Sequence, residues 1–351
     1  MSRASRPLVC VVSFVSLVSL VSAVSPASAQ PADAVGTRAQ GMAGAFTAVA
    51  DDATASWWNP AGMAGGAYFN ALLESGTQNE PRSERTPAGD PQSASRANTR
   101  SFAVAFPALG LSYYRLRISE IQPQTSTGNT APGRQESGAT EVRLNSLELN
   151  QFGASVGQSL GSHVVIGSTF KLVSGGAASQ VQAGATGSLD AADGLDLSRE
   201  VHAGLDVGAM AAFGRARIGV MVRNVNEVEF GGGGGSGAFT LRRQARAGAA
   251  LTSGTRGVIG SATVAVDADL TKTTTVFGEE RLVAVGGEVW TTSRTFGVRG
   301  GVSVNTIGER RTALSGGVSA AVKRGVYADG ALTGGTDQGR HGWALGLRVT
   351  F

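Results

Sequence analysis

The last segment of this 351-residue chain constrains its fold more than any other feature. From Trp343 to Phe351 the odd-numbered positions are large and apolar, whereas the even-numbered positions between Gly342 and Thr350 are small or polar. A β-strand places successive side chains on opposite faces, so this segment has one apolar and one hydrated face. Such a strand fits between lipid and a polar lumen, and the pattern therefore predicts a wall strand of a transmembrane β-barrel.

The same alternation recurs along the chain and predicts fourteen strands. They are expected near residues 66–74, 100–107, 110–120, 142–158, 163–173, 201–213, 215–225, 241–252, 258–270, 281–291, 294–304, 312–322, 325–333 and 341–351. The links between them alternate between long and short, as in bacterial barrels with external loops and tight periplasmic turns. We therefore expect an all-β fold, a 14-stranded antiparallel transmembrane β-barrel over residues 66–351. Composition alone leaves a soluble β-sandwich open.

The first 29 residues have the pattern of a cleaved signal peptide. Arg3 and Arg6 form a basic start, residues 8–24 an apolar core, and residues 27–29 a small-residue cleavage site. The mature protein is expected to begin near Gln30. Export combined with a barrel predicts the outer membrane of a Gram-negative type of cell, with both barrel ends in the periplasm, and implies membrane lipids and the barrel-assembly machinery as partners.

Charge and reactive side chains exclude several classes of function. Cys10, the only cysteine, lies within the predicted signal peptide. Removing the two arginines of that peptide leaves 28 of the 30 basic residues against all 26 acidic ones, which gives no support for nucleic-acid binding. The three histidines stand singly on different predicted strands, so no metal site, catalytic triad, cofactor or enzyme activity is expected.

Residues 30–65 precede the first strand and are expected to form a small plug inside the barrel. They are rich in glycine and alanine and cannot fold alone. Asp51 or Asp52 can cap a short helix that runs toward Trp57 and Trp58. Pro60 restricts the residue before it, so a turn at that point should end the helix.

This segment carries a resemblance to a known family. The sequence from Asp51 to Gly62, DDATASWWNPAG, resembles the plug motif of the FadL/TodX hydrophobic-compound channels and of the related PorV/PorQ barrels. The resemblance is specific over residues 36–64, and it implies that Asn59, Pro60 and Ala61 belong to a hatch that closes the lumen. Phe351, by resemblance to outer-membrane barrels generally, is expected to form part of the insertion signal.

Two sets of residues have two interpretations each. Trp57 and Trp58 either line an apolar substrate path or pack the plug against the wall. The predicted lumen arginines either bind an anionic head group such as a carboxylate or pair with nearby acids to hold plug and wall together. The arginines are Arg215, Arg217, Arg223, Arg242 and Arg246, and the acids are Asp51, Asp52, Asp206, Asp267, Asp269 and Glu288.

The resemblance leaves two functional hypotheses. The first is passive uptake of hydrophobic small molecules, such as long-chain fatty acids or aromatic hydrocarbons, through the plugged lumen. The second is a PorV/PorQ-like binding or scaffold barrel that serves protein secretion or surface anchoring. The plug motif is common to both. The long links are polar and poor in aromatic residues, which argues against a strong external capture site for lipids and differs from what a hydrocarbon channel would prefer.

Overall fold

The computed structural model describes residues 35–81, 93–125, 140–183, 188–230, 239–275, 278–335 and 340–351. The predicted signal peptide, with Cys10 and Gln30, lies outside these residues. No helix among them is long and apolar enough to cross a membrane.

Fourteen strands of the described chain form one closed antiparallel barrel. They are β1 (Asn70–Pro81), β2 (Ala94–Phe106), β3 (Leu109–Thr125), β4 (Thr140–Leu160), β5 (Val164–Ala183), β6 (Glu200–Phe213), β7 (Ala216–Arg223), β10 (Gln244–Thr252), β11 (Ile259–Asp269), β14 (Leu282–Thr291), β15 (Phe296–Asn305), β16 (Thr312–Lys323), β17 (Val326–Gly335) and β18 (His341–Thr350). Neighbours in sequence are neighbours in the wall, and β1 pairs with β18 to close it. The predicted fold class and strand number are confirmed.

The wall has the predicted two faces. Leu345, Leu347 and Phe351 are exposed on the outside, whereas Ala344 and Arg348 are buried on the inside. Full pairing around the barrel leaves no strand edge without a partner, as a lipid environment requires. The short turns lie at one end of the barrel, here called the turn end, where Phe69 and Phe351 exchange backbone hydrogen bonds of 3.1 and 2.9 Å. The long links lie at the opposite end, here called the link end.

Several strands continue further toward the link end than the alternation predicts. β1 runs from Asn70 to Pro81 instead of 66–74, and β5 runs to Ala183 instead of 173. The added part of β5 is rich in glycine, alanine and serine, so it carries no apolar alternation that a sequence could reveal. Its backbone nevertheless pairs with β4 without a break up to Glu141.

One link folds back along the outside of the wall. Its helix α3 (Leu189–Asp193) is capped by Ser188, whose Oγ accepts a 3.0 Å hydrogen bond from the Ala191 N–H. Ala192 is fully buried against Val142 and Leu144, which lie on the outward side of β4. The link therefore covers the outer surface of β3 and β4 near the link end.

Another link enters the lumen as a short hairpin. Strands β8 (Val228–Phe230) and β9 (Phe239–Leu241) pair with each other and continue beyond β7 and β10. Their apolar side chains are buried against the inner wall of β2 to β5. A second small hairpin, β12 (Thr273–Thr275) with β13 (Gly278–Glu280), lies in a different link and forms its own two-stranded sheet.

The segment before β1 lies inside the barrel. It contains helix α1 (Thr37–Gly41), helix α2 (Ala55–Trp58) and a 3₁₀ helix (Pro60–Gly65). Helix α1 packs against β15 to β18, and the 3₁₀ helix packs against β4, β5 and β6 on another side of the wall. The segment thus spans the lumen. Its apolar residues form a buried cluster with inward wall residues such as Ala103, Ala265 and Ala284.

Candidate functional site

Several glycines of the inner wall, here called the glycine seat, lie in direct contact with this plug segment. A Cβ at Gly208 would overlap Asn59 Oδ1, and a Cβ at Gly167 would overlap the backbone of Pro60. On the α1 side, a Cβ at Gly301 would overlap the backbone of Met42. Because only glycine leaves room for such approaches, the sequence of the wall is fitted to the plug at several strands.

Hydrogen bonds fix the plug in this seat. Asn59 Nδ2 donates to the carbonyl oxygens of Thr47, at 3.0 Å, and of wall residue Ala209, at 3.2 Å. The carboxylate of Asp267 on β11 accepts from the backbone N–H groups of Phe46 and Thr47, at 3.1 and 2.8 Å. These donors are buried and would be left without partners if the plug moved, which makes displacement costly.

The turn expected at Asn59 is built around its side chain. Asn59 has an extended backbone with φ of −168°, and its Oδ1 accepts a 3.2 Å hydrogen bond from the Ala61 N–H. Pro60 then begins the 3₁₀ helix, where its missing N–H costs nothing. Asn59 thereby ends one helix, starts the next and reaches the wall.

Arg38 joins the plug to the wall through three carboxylates. Its guanidinium contacts Glu288 of β14 at 2.8 Å and the plug residues Asp51 and Asp52 at 2.8 and 2.7 Å. Burial alone would lower the pKa of Arg38, but these three carboxylates raise it well above its ordinary value. The sequence interpretation paired Asp51, Asp52 and Glu288 with the lumen arginines and overlooked Arg38.

The wall continues this network on the α1 side. Glu288 lies 3.7 Å from Arg299, and the Arg299 guanidinium lies 3.4 Å from Asp329. Asp329 also accepts from Arg348 at 3.0 Å. Buried charges require such partners, so guanidiniums and carboxylates hold one another in place along this side of the lumen.

The two plug tryptophans occupy different surroundings. Trp58 is fully buried, and its Nε1 donates to the Val35 carbonyl at 3.0 Å. Trp57 faces the link end, where its ring lies 5.1 Å from that of Tyr114 on β3. The guanidinium of Arg223 lies 4.1 Å from the centre of a Trp57 ring. Earlier in the chain, the carboxylate of Asp52 accepts a 2.9 Å hydrogen bond from the Thr54 N–H, one residue before α2 begins.

The five predicted lumen arginines do not form one group. Arg246 lies 3.3 Å from Asp267 and 3.3 Å from Asp269, and Arg217 lies 3.9 Å from Asp51. Arg215 is exposed at the turn end, and Arg242 is half-buried beyond β9.

Arg223 differs from the other four. It is 2% exposed and has no ion pair among the described residues, and its Nε and Nη1 atoms have no hydrogen-bond partner there. The same two atoms of Arg246 also lack hydrogen bonds, but carboxylates lie 3.3 Å from them. It stacks on Trp57 instead. A buried guanidinium with unused donors is a ready site for an anionic ligand group.

Directly beyond this layer the lumen becomes apolar. Leu116 follows Tyr114 by two residues on the same face of β3, so it lies about 7 Å nearer the link end. It faces Leu149 across the strand pair. Phe230 of the β8–β9 hairpin packs so closely there that a Cβ at Gly175 would overlap the Leu149 side chain and the Phe230 ring. The set, here called the lumen cluster, comprises Ala97, Leu116, Ile118, Leu147, Leu149, Val173, Val228, Phe230, Phe239 and Leu241.

The sequence interpretation missed this cluster and the residues beneath it. Tyr114 shares a 2.7 Å hydrogen bond with Ser56 of the plug. In the sequence it is visible only as an inward position of a predicted strand. Phe230 and Phe239 fall in a link judged polar, and they are separated by a glycine-rich stretch. Two aromatic residues on either side of a glycine run can indicate a hairpin, but the polar composition of the whole link hides this signal. Within the described chain, no group of His, Cys, Asp and Glu has the arrangement of a metal site.

Comparison with known proteins agrees with this architecture. A family model described as "F plasmid transfer operon, TraF, protein" matches residues 37–269, which is more than half of the chain. The chain belongs to this TraF family. The match includes the plug, the Asn59–Pro60 turn and the β8–β9 hairpin, but ends before the last strands of the TraF-family barrel. No curated protein matches the chain.

Solved structures similar to this TraF-family chain include a hydrocarbon channel, a FadL homologue and a toluene transporter. The CymD monoaromatic hydrocarbon channel has a TM-score of 0.63 at 13% identity, covering 92% of this chain and 99% of that one. A Pseudomonas aeruginosa FadL homologue has a TM-score of 0.57 at 13% identity, with 93% and 99% covered. The Ralstonia pickettii toluene transporter TbuX has a TM-score of 0.58 at 12% identity, with 92% and 99% covered. The predicted resemblance is confirmed at the level of the fold.

Proposed function

We propose that this protein is an outer-membrane barrel for the passive uptake of hydrophobic small molecules. The link end faces outward, and the turn end, with both chain ends, faces the periplasm. The observation that carries the proposal is the lumen cluster, because an apolar surface enclosed by the wall and by the β8–β9 hairpin has no role in a water-filled pore. The fold shared with hydrocarbon channels supports the same conclusion.

A ligand in the lumen cluster would lie next to Trp57, Tyr114 and Arg223. An uncharged hydrocarbon would contact the two aromatic rings. A fatty acid would in addition place its carboxylate against the free donors of Arg223 while its chain lies along Leu116 and Leu149. The site therefore suits apolar molecules and is expected to prefer those that end in a single negative charge.

Passage beyond this point requires a rearrangement of the plug. Trp57 and Trp58 close the lumen, and the glycine seat holds the Asn59–Pro60 turn against β5 and β6. In this proposal Asn59, Pro60 and Ala61 are the part of the hatch that must shift, with the ligand replacing Trp57 against Tyr114. The remainder, anchored through Arg38 and Asp267, stays in place.

Uptake of radiolabelled toluene and dodecanoate into whole cells tests the proposal. Cells that produce the protein should accumulate both probes faster than matched cells without it, whereas uptake of a small sugar should not differ. Equal rates for the hydrophobic probes in the two strains, with the barrel verified in the outer membrane, would contradict uptake as the function.

A second candidate is a scaffold barrel that binds part of a transfer or secretion apparatus. The family description refers to a plasmid transfer operon, and the closely fitted plug favours a barrel that stays shut. This candidate predicts probe uptake no faster than in cells without the barrel. It also predicts a co-purifying envelope protein that is lost when residues 188–199, on the outer wall, are replaced by a short linker.

A further inference from the structure

The outer wall changes sharply from apolar to basic at one level of β2 and β3. Leu73, Phe102, Tyr113, Phe152 and Leu172 face each other across successive strand pairs and form one outward row on β1 to β5. Tyr113 is half-buried, and the other four are exposed, between 49% and 61%. Aromatic residues gather where the hydrocarbon of a bilayer meets its headgroups, so this row marks that boundary.

The next outward row, about 7 Å nearer the link end, carries two arginines directly opposite each other. Arg100 of β2 faces Arg115 of β3. In an antiparallel pair, Cβ atoms of opposite residues lie about 5 Å apart, and like charges there are destabilising. Arg100 is exposed and has no ion pair or hydrogen bond among the described residues.

More arginines surround this pair on the same outward surface. Arg117 occupies the next outward position of β3, opposite Asn98, and Arg96 lies one outward position further along β2, opposite Ser119. Arg199 arrives from the link before β6. Three carboxylates contact them: Glu148 bonds to Arg115 and Arg199, whereas Asp193 and Asp190 on α3 bond to Arg96, with Asp193 also near Arg117. Five guanidiniums against three carboxylates leave a positive excess, since Arg100 has no carboxylate partner among the described residues and Arg115 shares Glu148 with Arg199.

The folded link completes the shape of the surface. Helix α3 covers the wall above Arg117, so the basic patch is bounded by a helix on one side and by the aromatic row on the other. An anion that reaches Arg100 and Arg115 therefore sits at the headgroup level, with the apolar surface of Phe102 and Phe152 directly beneath it.

We propose that this outward patch, consisting of Arg100, Arg115, Arg117 and Arg199, binds the phosphate group of a membrane lipid. The forked donors of two opposed guanidiniums match phosphate oxygens, and a phosphate between them removes their mutual repulsion. The acyl chains of the same lipid lie along the aromatic row. The proposal rests on the outer-membrane location given above but is independent of any uptake through the lumen.

Native mass spectrometry of the purified barrel in detergent tests this site. Lipid A with two phosphates is the probe, lipid A from which both phosphates have been removed is the matched lipid, and inorganic phosphate is the competitor. The wild-type protein should retain phosphorylated lipid A, and the variant R100Q/R115Q should bind it at least tenfold more weakly. Arg281 and Arg310, exposed in other links at the same end, supply the charge-matched control R281Q/R310Q, which also removes two positive charges and should bind like the wild type.

Several results would overturn the site. One is equal retention of phosphorylated lipid A by R100Q/R115Q and the wild type; another is equal retention of the dephosphorylated lipid by the wild type. Displacement by inorganic phosphate at the same concentration as the lipid would show a simple anion site. Heat-modifiable migration confirms that each variant is folded. Uptake of toluene by R100Q/R115Q should equal that of the wild type, so failure here and failure of the uptake proposal are distinguishable.

Discussion

Arg223 shows that the chemistry of the lumen depends on the partners of single inward side chains. Its position on the inward face of β7 follows from alternation, and a role in binding an anion was one of two interpretations that the sequence allowed. Its stacking on Trp57 and its unused Nε and Nη1 donors could not be predicted, because they depend on how the plug is seated. Arg246, one strand away and equally inward, is paired with acids instead.

Replacing Arg223 with glutamine should separate charged from uncharged ligands. R223Q removes the guanidinium but keeps a polar side chain of similar length. We expect binding of dodecanoate to weaken about tenfold, as for the loss of one charge-assisted contact, while binding of dodecanol changes little. Isothermal titration with the two probes measures this. R215Q, at the exposed turn end, is the control, and equal weakening of both probes in R223Q would contradict a carboxylate contact.

The seat glycines make a second prediction at the residue scale. In G208A the new Cβ overlaps Asn59 Oδ1, so the Asn59–Pro60 turn must leave its position while the wall strand keeps its pairing. We expect a rise in single-channel conductance in planar bilayers. Gly157 also faces Pro60 but has no atom within 3.7 Å of its Cβ position, so G157A should conduct like the wild type. A G208A barrel that stays closed would show that the Asn59–Pro60 turn accommodates the added methyl group without opening the lumen.

Among the elements, the wall strands and the interior elements differ in how well a sequence reveals them. Lipid on one side imposes strict alternation, and for that reason fourteen strands were predictable while their hydrated extensions, such as residues 174–183 of β5, were not. The inward face was expected to border a polar lumen. Ala265 and Gly208 instead pack against the plug, so the alternation shows which residues point inward but not what they meet.

The β8–β9 hairpin is the element on which the proposed ligand site depends. Replacing Phe230 and Phe239 with serine removes apolar area from the lumen cluster without touching the wall ladder. We expect affinity for both toluene and dodecanoate to fall at least tenfold, while heat-modifiable migration shows that the barrel still closes. T240S, on the half-buried side of β9, serves as the control. Unaltered affinity would place the ligand elsewhere.

At the scale of the whole molecule, the barrel and the plug are two structures fitted to one another. The wall closes through its own strand pairs, whereas the plug combines internal hydrogen bonds with wall partners such as Asp267, Glu288 and Ala209. The family resemblance at DDATASWWNPAG indicated this organisation from the sequence. The Arg38 anchor and the lumen cluster, formed by residues far apart in the chain, became visible only in three dimensions.

Deleting residues 36–64 should leave a barrel that assembles and conducts ions. The strands retain their partners, and Glu288 and Asp267, which lose Arg38 and the plug N–H groups, become hydrated instead of buried. Heat-modifiable migration and bilayer conductance measure assembly and opening. If the deletion prevents assembly, the plug is a folding core of the barrel, and a movable hatch would be excluded.

The most direct test of the uptake proposal is the position of a bound ligand. We suggest a crystal structure of the full-length mature protein soaked with 12-bromododecanoate and recorded at the bromine absorption edge. The proposal predicts an anomalous peak inside the barrel among Leu116, Leu149 and Phe230, with the carboxylate at Arg223. Bromine found only on the outer wall, with the lumen cluster and Trp57 unchanged at saturating ligand, would contradict it.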